Sequence, residues 1–190
     1  MLRSLFVTLA LAGVAASTII QGKLKFGTSL HFEVDYSLDV DAGNITFMLT
    51  SDGHYDWYAF GLHNKSYGGM PDAEVFICNP QPSNLAGVFC QVGHTTGHTT
   101  PTIAKKQYIQ LMSAGRSKDW ANATFTRSIS KSKSADLSYS IRNKTIMVIS
   151  ACGYWSVGKP MPYGSPMRHT TNGFAIVNFF EPDLEQLRAT

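Results

Sequence analysis

The 190 residues are 44% hydrophobic and 15% charged, a balance that suits one ordinary folded domain and is too apolar for a disordered chain. Sixteen Lys and Arg against 13 Asp and Glu give a formal charge of +3 at pH 7, which argues against nucleic acid or any other polyanion as a partner.

The opening MLRSLFVTLALAGVAAS reads as a secretory leader. Arg3 supplies the positive end, Leu5 to Leu11 the apolar core, and Val14-Ala15-Ala16 the small-residue cleavage site. Residues 1–17 are therefore assigned to a signal peptide, the mature chain starts near Ser17 or Thr18, and 18–190 form a single domain. The leader is too short to span a bilayer, and no other run approaches about 20 apolar residues. The expectation is a secreted, extracellular protein with no transmembrane segment in the mature chain. Four Asn-x-Ser/Thr sequons, at Asn44, Asn64, Asn122 and Asn143, fit glycosylation on surface turns.

Nine short runs rich in β-branched and aromatic residues follow: HFEVDYSLDV, ITFMLTS, WYAFGLH, AEVFICN, GVFCQVG, QYIQLMS, ATFTRSI, TIMVISAC and GFAIVNFF. In the first, Phe32, Val34, Tyr36 and Leu38 alternate with His31, Glu33, Asp35 and Ser37, so one face is buried and the other wet. Segments such as DVDAGN, SDGHYD, NKSYGGMP and NPQPSN stop the strands. These features predict an all-β fold, an antiparallel immunoglobulin-like β-sandwich of about nine to eleven strands, with an up-and-down barrel as the alternative.

Cys78, Cys90 and Cys152 allow one disulfide in an oxidising compartment. Cys78 and Cys90 are nearest in sequence, yet a tight hairpin over NPQPSN would set Cys78 opposite about Leu85, so the pairing stays open. Enzyme motifs are absent: no G-x-S-x-G, H-E-x-x-H or Walker loop occurs, and catalysis is left uncertain. Asp35, Asp39, Asp41 and Asp52 read as turn and surface residues. His94 and His98 would converge on a metal only on a helix, which TTGHTT disfavours. His31, His54 and His63 read as surface residues. The basic stretch RSISKSKS reads as a solvated hairpin.

Met70 and His169 have mirror-image settings, each in a Gly/Pro-containing loop just before an apolar strand. A thioether and an imidazole so held could ligate a haem iron; from spacing alone, a gap-filling Met and a lone polar His are the favoured reading.

The chain resembles the DOMON domain family, which includes the haem b-binding cytochrome domain of cellobiose dehydrogenase. The resemblance rests on Trp57, Ala59, Gly61, Met70 and Asp72 in WYAFGLHNKSYGGMPDAEVFIC, on Phe125, Arg127 and Asp136 in ATFTRSISKSKSADLSYSI, and on TIMVISACG. His169 and Gly173 in HTTNGFAIVNF complete it. It implies Met70 and His169 as axial ligands of a non-covalent haem b and one-electron transfer with a separate extracellular or membrane redox partner. Trp57, Tyr67, Phe76 and Tyr163 would form an apolar shell at one end of the sandwich, with Arg168 near a propionate. Some family members are thought to act without haem, so a binding or adhesion module for glycans or proteins is the alternative.

Overall fold

The computed structural model describes residues 17–24, 26, 32–52, 55–63, 70–79, 90–97, 101–117, 119–130, 138–154 and 171–182. Eleven strands run in chain order: β1 (Ile19–Leu24), β2 (Phe32–Asp39), β3 (Asn44–Ser51), β4 (Trp57–His63), β5 (Ala73–Cys78), β6 (Cys90–His94), β7 (Thr102–Ile103), β8 (Gln110–Arg116), β9 (Ala121–Ser128), β10 (Ile146–Gly153) and β11 (Thr171–Val177). They form two antiparallel sheets, one ordered β1-β2-β3-β9-β8 and the other β11-β10-β4-β5-β6-β7. The predicted sandwich is therefore present, with two strands beyond the nine apolar runs. β1 interrupts its pattern with Gln21, Gly22 and Lys23, and β7 has only two residues.

The alternation of β2 does what its sequence demands. Val34, Tyr36 and Leu38 are buried with Ile45, Phe47 and Leu49 of β3 and Ala121, Ala123 and Phe125 of β9. Facing them from the second sheet are Tyr58, Phe60 and Leu62 of β4, Phe76 of β5 and Val148 of β10. Phe47 meets Phe60 edge-on at 4.8 Å between centroids, and Phe60 lies 5.0 Å from Phe76. Each such pair adds about 0.5–1.5 kcal/mol beyond area burial, so this aromatic cluster is the glue between the layers. At the edge, the Tyr36 ring crosses Gly22 of β1, where an added Cβ would stand 2.4 Å from the Tyr36 hydroxyl oxygen. Only glycine admits that crossing.

Cys78 and Cys90 face each other in register across β5 and β6 and are joined as a disulfide. The tight-hairpin expectation fails because residues 79–89 connect the strands, a longer link than NPQPSN alone, so pairing starts at the cysteines. Cys152 is a fully buried thiol on β10.

Candidate functional site: an apolar outer face and a clamped loop

β4, WYAFGLH, is buried at every position. Strand geometry sends successive side chains to opposite faces, so Tyr58, Phe60 and Leu62 enter the core while Trp57, Ala59, Gly61 and His63 point away from it. Antiparallel sandwich sheets usually wet that outer face. Here Trp57, Ala59, Ala73, Val75 and Ile77 form a second buried apolar cluster, with Ile103, Ile149 and Ala151 packed against it.

The middle of this face is low. Pairing aligns Ala151, Ala59 and Ile77 in one cross-strand row and Ile149, Gly61, Val75 and Gly93 in the next. A Cβ at Gly61 would stand 2.9 Å from Val75 Cγ1, 3.0 Å from Ile149 Cγ1 and 3.1 Å from the Glu74 carbonyl oxygen. Val75 and Ile149 thus close over Gly61 and complete an apolar floor that is buried along β4 and β5. Towards β11 the face is open, with Phe174 44% exposed.

Met70, half-buried, lies in the loop that enters β5, and consecutive backbone carbonyls of that loop are each held. The Thr95 hydroxyl donates to Met70 O. His63 Nε2 meets Pro71 O at 2.8 Å; a carbonyl only accepts, so Nε2 carries the proton. The Tyr139 hydroxyl donates to Asp72 O, and Thr95 N donates to Ala73 O at 3.0 Å. In return Thr95 O accepts from Asp72 N at 2.7 Å and Thr95 Oγ1 accepts from Ala73 N at 3.0 Å. Asp72 itself is left-handed, with φ of 62°, an unusual state for a residue with a Cβ. Because His63 belongs to the outer set of β4, its bond to Pro71 folds the Met70 loop against that end of the apolar face.

Beneath the loop lies a buried ion pair between the sheets. Arg127 Nη1 donates to Glu74 Oε1 with both side chains almost fully buried. The carboxylate also accepts from the Tyr108 hydroxyl at 2.6 Å and from Tyr139 N at 2.8 Å. The guanidinium reaches Ser128 O through Nε at 2.8 Å and Tyr139 O through Nη2 at 2.7 Å. Tyr139 is thus anchored by both charges while its hydroxyl holds Asp72. Burial, followed by the neighbouring Glu74 charge, pushes the Tyr108 hydroxyl well above the ordinary tyrosine range. Burial and the Asp72 and Glu74 charges raise Tyr139 as well.

Of the two expected ligands, Met70 is among the described residues; His169 lies outside them, as do His31, His54, His98, Tyr67, Tyr163, Arg168 and Asp136. β11 opens at Thr171, opposite Cys152, and Cys152 is opposite Tyr58. The chain after His169 therefore joins the sheet at its Trp57 end, whereas Met70 sits at its His63 end. Trp57 does face the outer floor. Phe76 does not, since its parity sends it into the aromatic core.

The expectations for His63, Arg127 and Asn122 need correction. His63 is not a surface residue: it is 3% exposed and clamps Pro71. Arg127 leaves the solvated basic stretch to pair with Glu74. Asn122 is the second residue of β9 rather than part of a turn, and half-buried; Asn44, which opens β3, and Asn143 are exposed, and Asn64 lies outside the described residues. His94 ends strand β6, so it has no helical partner. Asp35 pairs with Lys23 at 3.6 Å, and Asp39 and Asp41 accept from Ser17 and Thr18 at the surface. Among the described residues no group of three or more His, Cys, Asp or Glu gathers as a metal site, and no helix is long and apolar enough to cross a membrane.

The two-layer antiparallel fold recurs in proteins of other organisms. The DOMON domain model matches residues 29–153, and the chain belongs to that family. The matched span includes Met70 and ends before His169. The cytochrome domain of Myriococcum thermophilum cellobiose dehydrogenase shares the fold at TM-score 0.56 and 15% identity, over 84% of this chain and 80% of that one. The cytochrome b domain of Coprinopsis cinerea pyranose dehydrogenase does so at TM-score 0.56 and 10% identity, over 77% and 76%. No curated protein matches significantly.

Proposed function

We propose that the chain is a secreted b-type haem-binding DOMON domain that passes single electrons to or from a separate extracellular or membrane-bound partner. The observation that carries this reading is the apolar outer face of the six-stranded sheet with the Met70 loop folded over one end of it. A planar tetrapyrrole needs an apolar seat, and Trp57, Ala59, Val75 and Ile77 line an apolar face. The seat proposed is this face rather than an end of the sandwich.

When bound, the haem supplies a one-electron couple, which a Met and His axial pair shifts towards the reduced form. The chain's own contributions are positional. Thr95 holds the backbone of Met70, and His63 and Tyr139 hold those of Pro71 and Asp72 beside it; the Met70 thioether is the soft neutral donor. His169 supplies the imidazole. Trp57, Val75 and Ile149 line a dry wall, and low polarity around a redox centre is one of the levers by which a protein sets its potential. The structural likeness to cytochrome domains of two sugar dehydrogenases supports the reading at the level of the fold.

The test uses the secreted protein titrated with haemin. The expected result is a low-spin six-coordinate reduced spectrum that Met70→Ala and His169→Ala each alter while the sheet signal in far-UV circular dichroism persists. A colourless protein that binds no haemin overturns the reading. The rival is then a haem-free module for glycans or proteins, favoured by the exposed aromatic rings of Phe174 and Tyr154. Intact mass before and after deglycosylation, with N-terminal sequencing, tests the leader and the sequons.

A further inference from the structure

This inference rests on the haem reading and deepens it. We propose that Thr95, seconded by Tyr139, is the positioning residue for the sulfur ligand, fixing the backbone of Met70 before any cofactor arrives. Thr95 lies one residue past β6, 25 positions from Met70, and bonds to three of the four residues between Met70 and Ala73 through its N–H, its carbonyl and its hydroxyl. Pro71 offers no N–H, so the loop has few donors with which to hold itself. Asp72 sits in a left-handed conformation that the surroundings must impose.

The Tyr139 hydroxyl supplies the opposing grip on Asp72. Its own backbone is tied at both N and O to the buried Glu74 and Arg127. The loop is thus held between one anchor on the second sheet and another rooted in the inter-sheet ion pair. A thioether is uncharged and binds iron through one weak bond, so its retention depends on the sulfur being presented without an ordering cost.

Thr95→Val keeps the side-chain shape but deletes the hydroxyl, orphaning Met70 O and Ala73 N. With haem bound, the valine variant is expected to lose the sulfur-to-iron charge-transfer band and to shift to a lower reduction potential, while Thr95→Ser retains both. In the haem-free protein, amide exchange at Asp72 and Ala73 is expected to rise about tenfold in the valine variant relative to wild type and serine. Tyr139→Phe gives the same direction in both measurements and carries the test should the valine variant not fold. A valine variant with wild-type band, potential and exchange overturns the role of Thr95 while leaving the haem reading intact. Wild-type protein that takes up no haemin overturns the haem reading and, with it, the ligand-positioning role.

Discussion

Arg127 and Glu74, 53 residues apart in sequence, meet between the two sheets with side chains 1% and 0% exposed. Each charge is tolerable only because the other is present and because Tyr108, Tyr139 and backbone carbonyls saturate the remaining valences. Glu74→Leu alone or Arg127→Met alone should therefore destabilise the domain by about 3–5 kcal/mol, read as a drop in urea midpoint. The double variant should cost clearly less than the sum of the two. Additive single and double values would show that the pair is not energetically coupled.

Alkaline pH should weaken the same region. Burial and the Glu74 charge hold the Tyr108 hydroxyl neutral far above its ordinary range. The sign follows from linkage: the raised folded value means that this contribution is complete below the unfolded tyrosine value of about 10 and is lost as pH rises beyond it. Tyr139 acts in the same direction. Ultraviolet titration should show tyrosinate appearing from these residues only as the protein unfolds, and Tyr108→Phe should flatten the loss of urea stability above about pH 10. Smooth ionisation of every tyrosine within the folded state would contradict this.

Reducing or replacing the Cys78–Cys90 bridge should cost about 3 kcal/mol, the chain-entropy value for so short a loop. The Cys152 thiol is fully buried, so iodoacetamide should leave the native chain unmodified and add a single group after denaturation without reductant. Mass spectrometry distinguishes this from any other pairing. Two or more modified cysteines without reductant would rule it out.

Gly61→Ala is expected to be destabilising, in contrast to the usual benefit of replacing glycine in a strand. The new methyl would press on Val75, Ile149 and the Glu74 carbonyl, an overpacking cost of about 1–3 kcal/mol. Because that methyl also rises from the outer floor, haemin affinity should fall in parallel. An unchanged urea midpoint and unchanged haemin titration would remove Gly61 from the floor.

Much of the sandwich was legible because alternation is a local signal: β2 and β3 declare an inner and an outer face by themselves. WYAFGLH held more than was taken from it. Apolar residues at adjacent positions require both faces of a strand to be covered, which places His63 in the same buried outer set as Trp57. Arg127 offered a similar clue, since it falls in phase with the inward residues Ala121, Ala123 and Phe125, and an inward cation demands an anion such as Glu74 in the apolar run AEVFIC. Thr95 could not be found this way. Its importance lies in contacts 25 residues distant, made partly by backbone atoms that every residue possesses. Met70 was marked by its Gly/Pro surroundings, yet the left-handed turn that aims it falls on Asp72, a residue whose type gives only a mild preference for that state.

The fastening of Met70 uses only groups that the polypeptide brings with it: a hydroxyl, an imidazole, a phenol and the main chain. None of these bonds uses the side chain at position 70. That makes this position an interchangeable socket. Under the haem reading proposed above, a histidine or a lysine installed there would be carried on the same backbone, so one codon would change the ligand without redesign of the sheet beneath it.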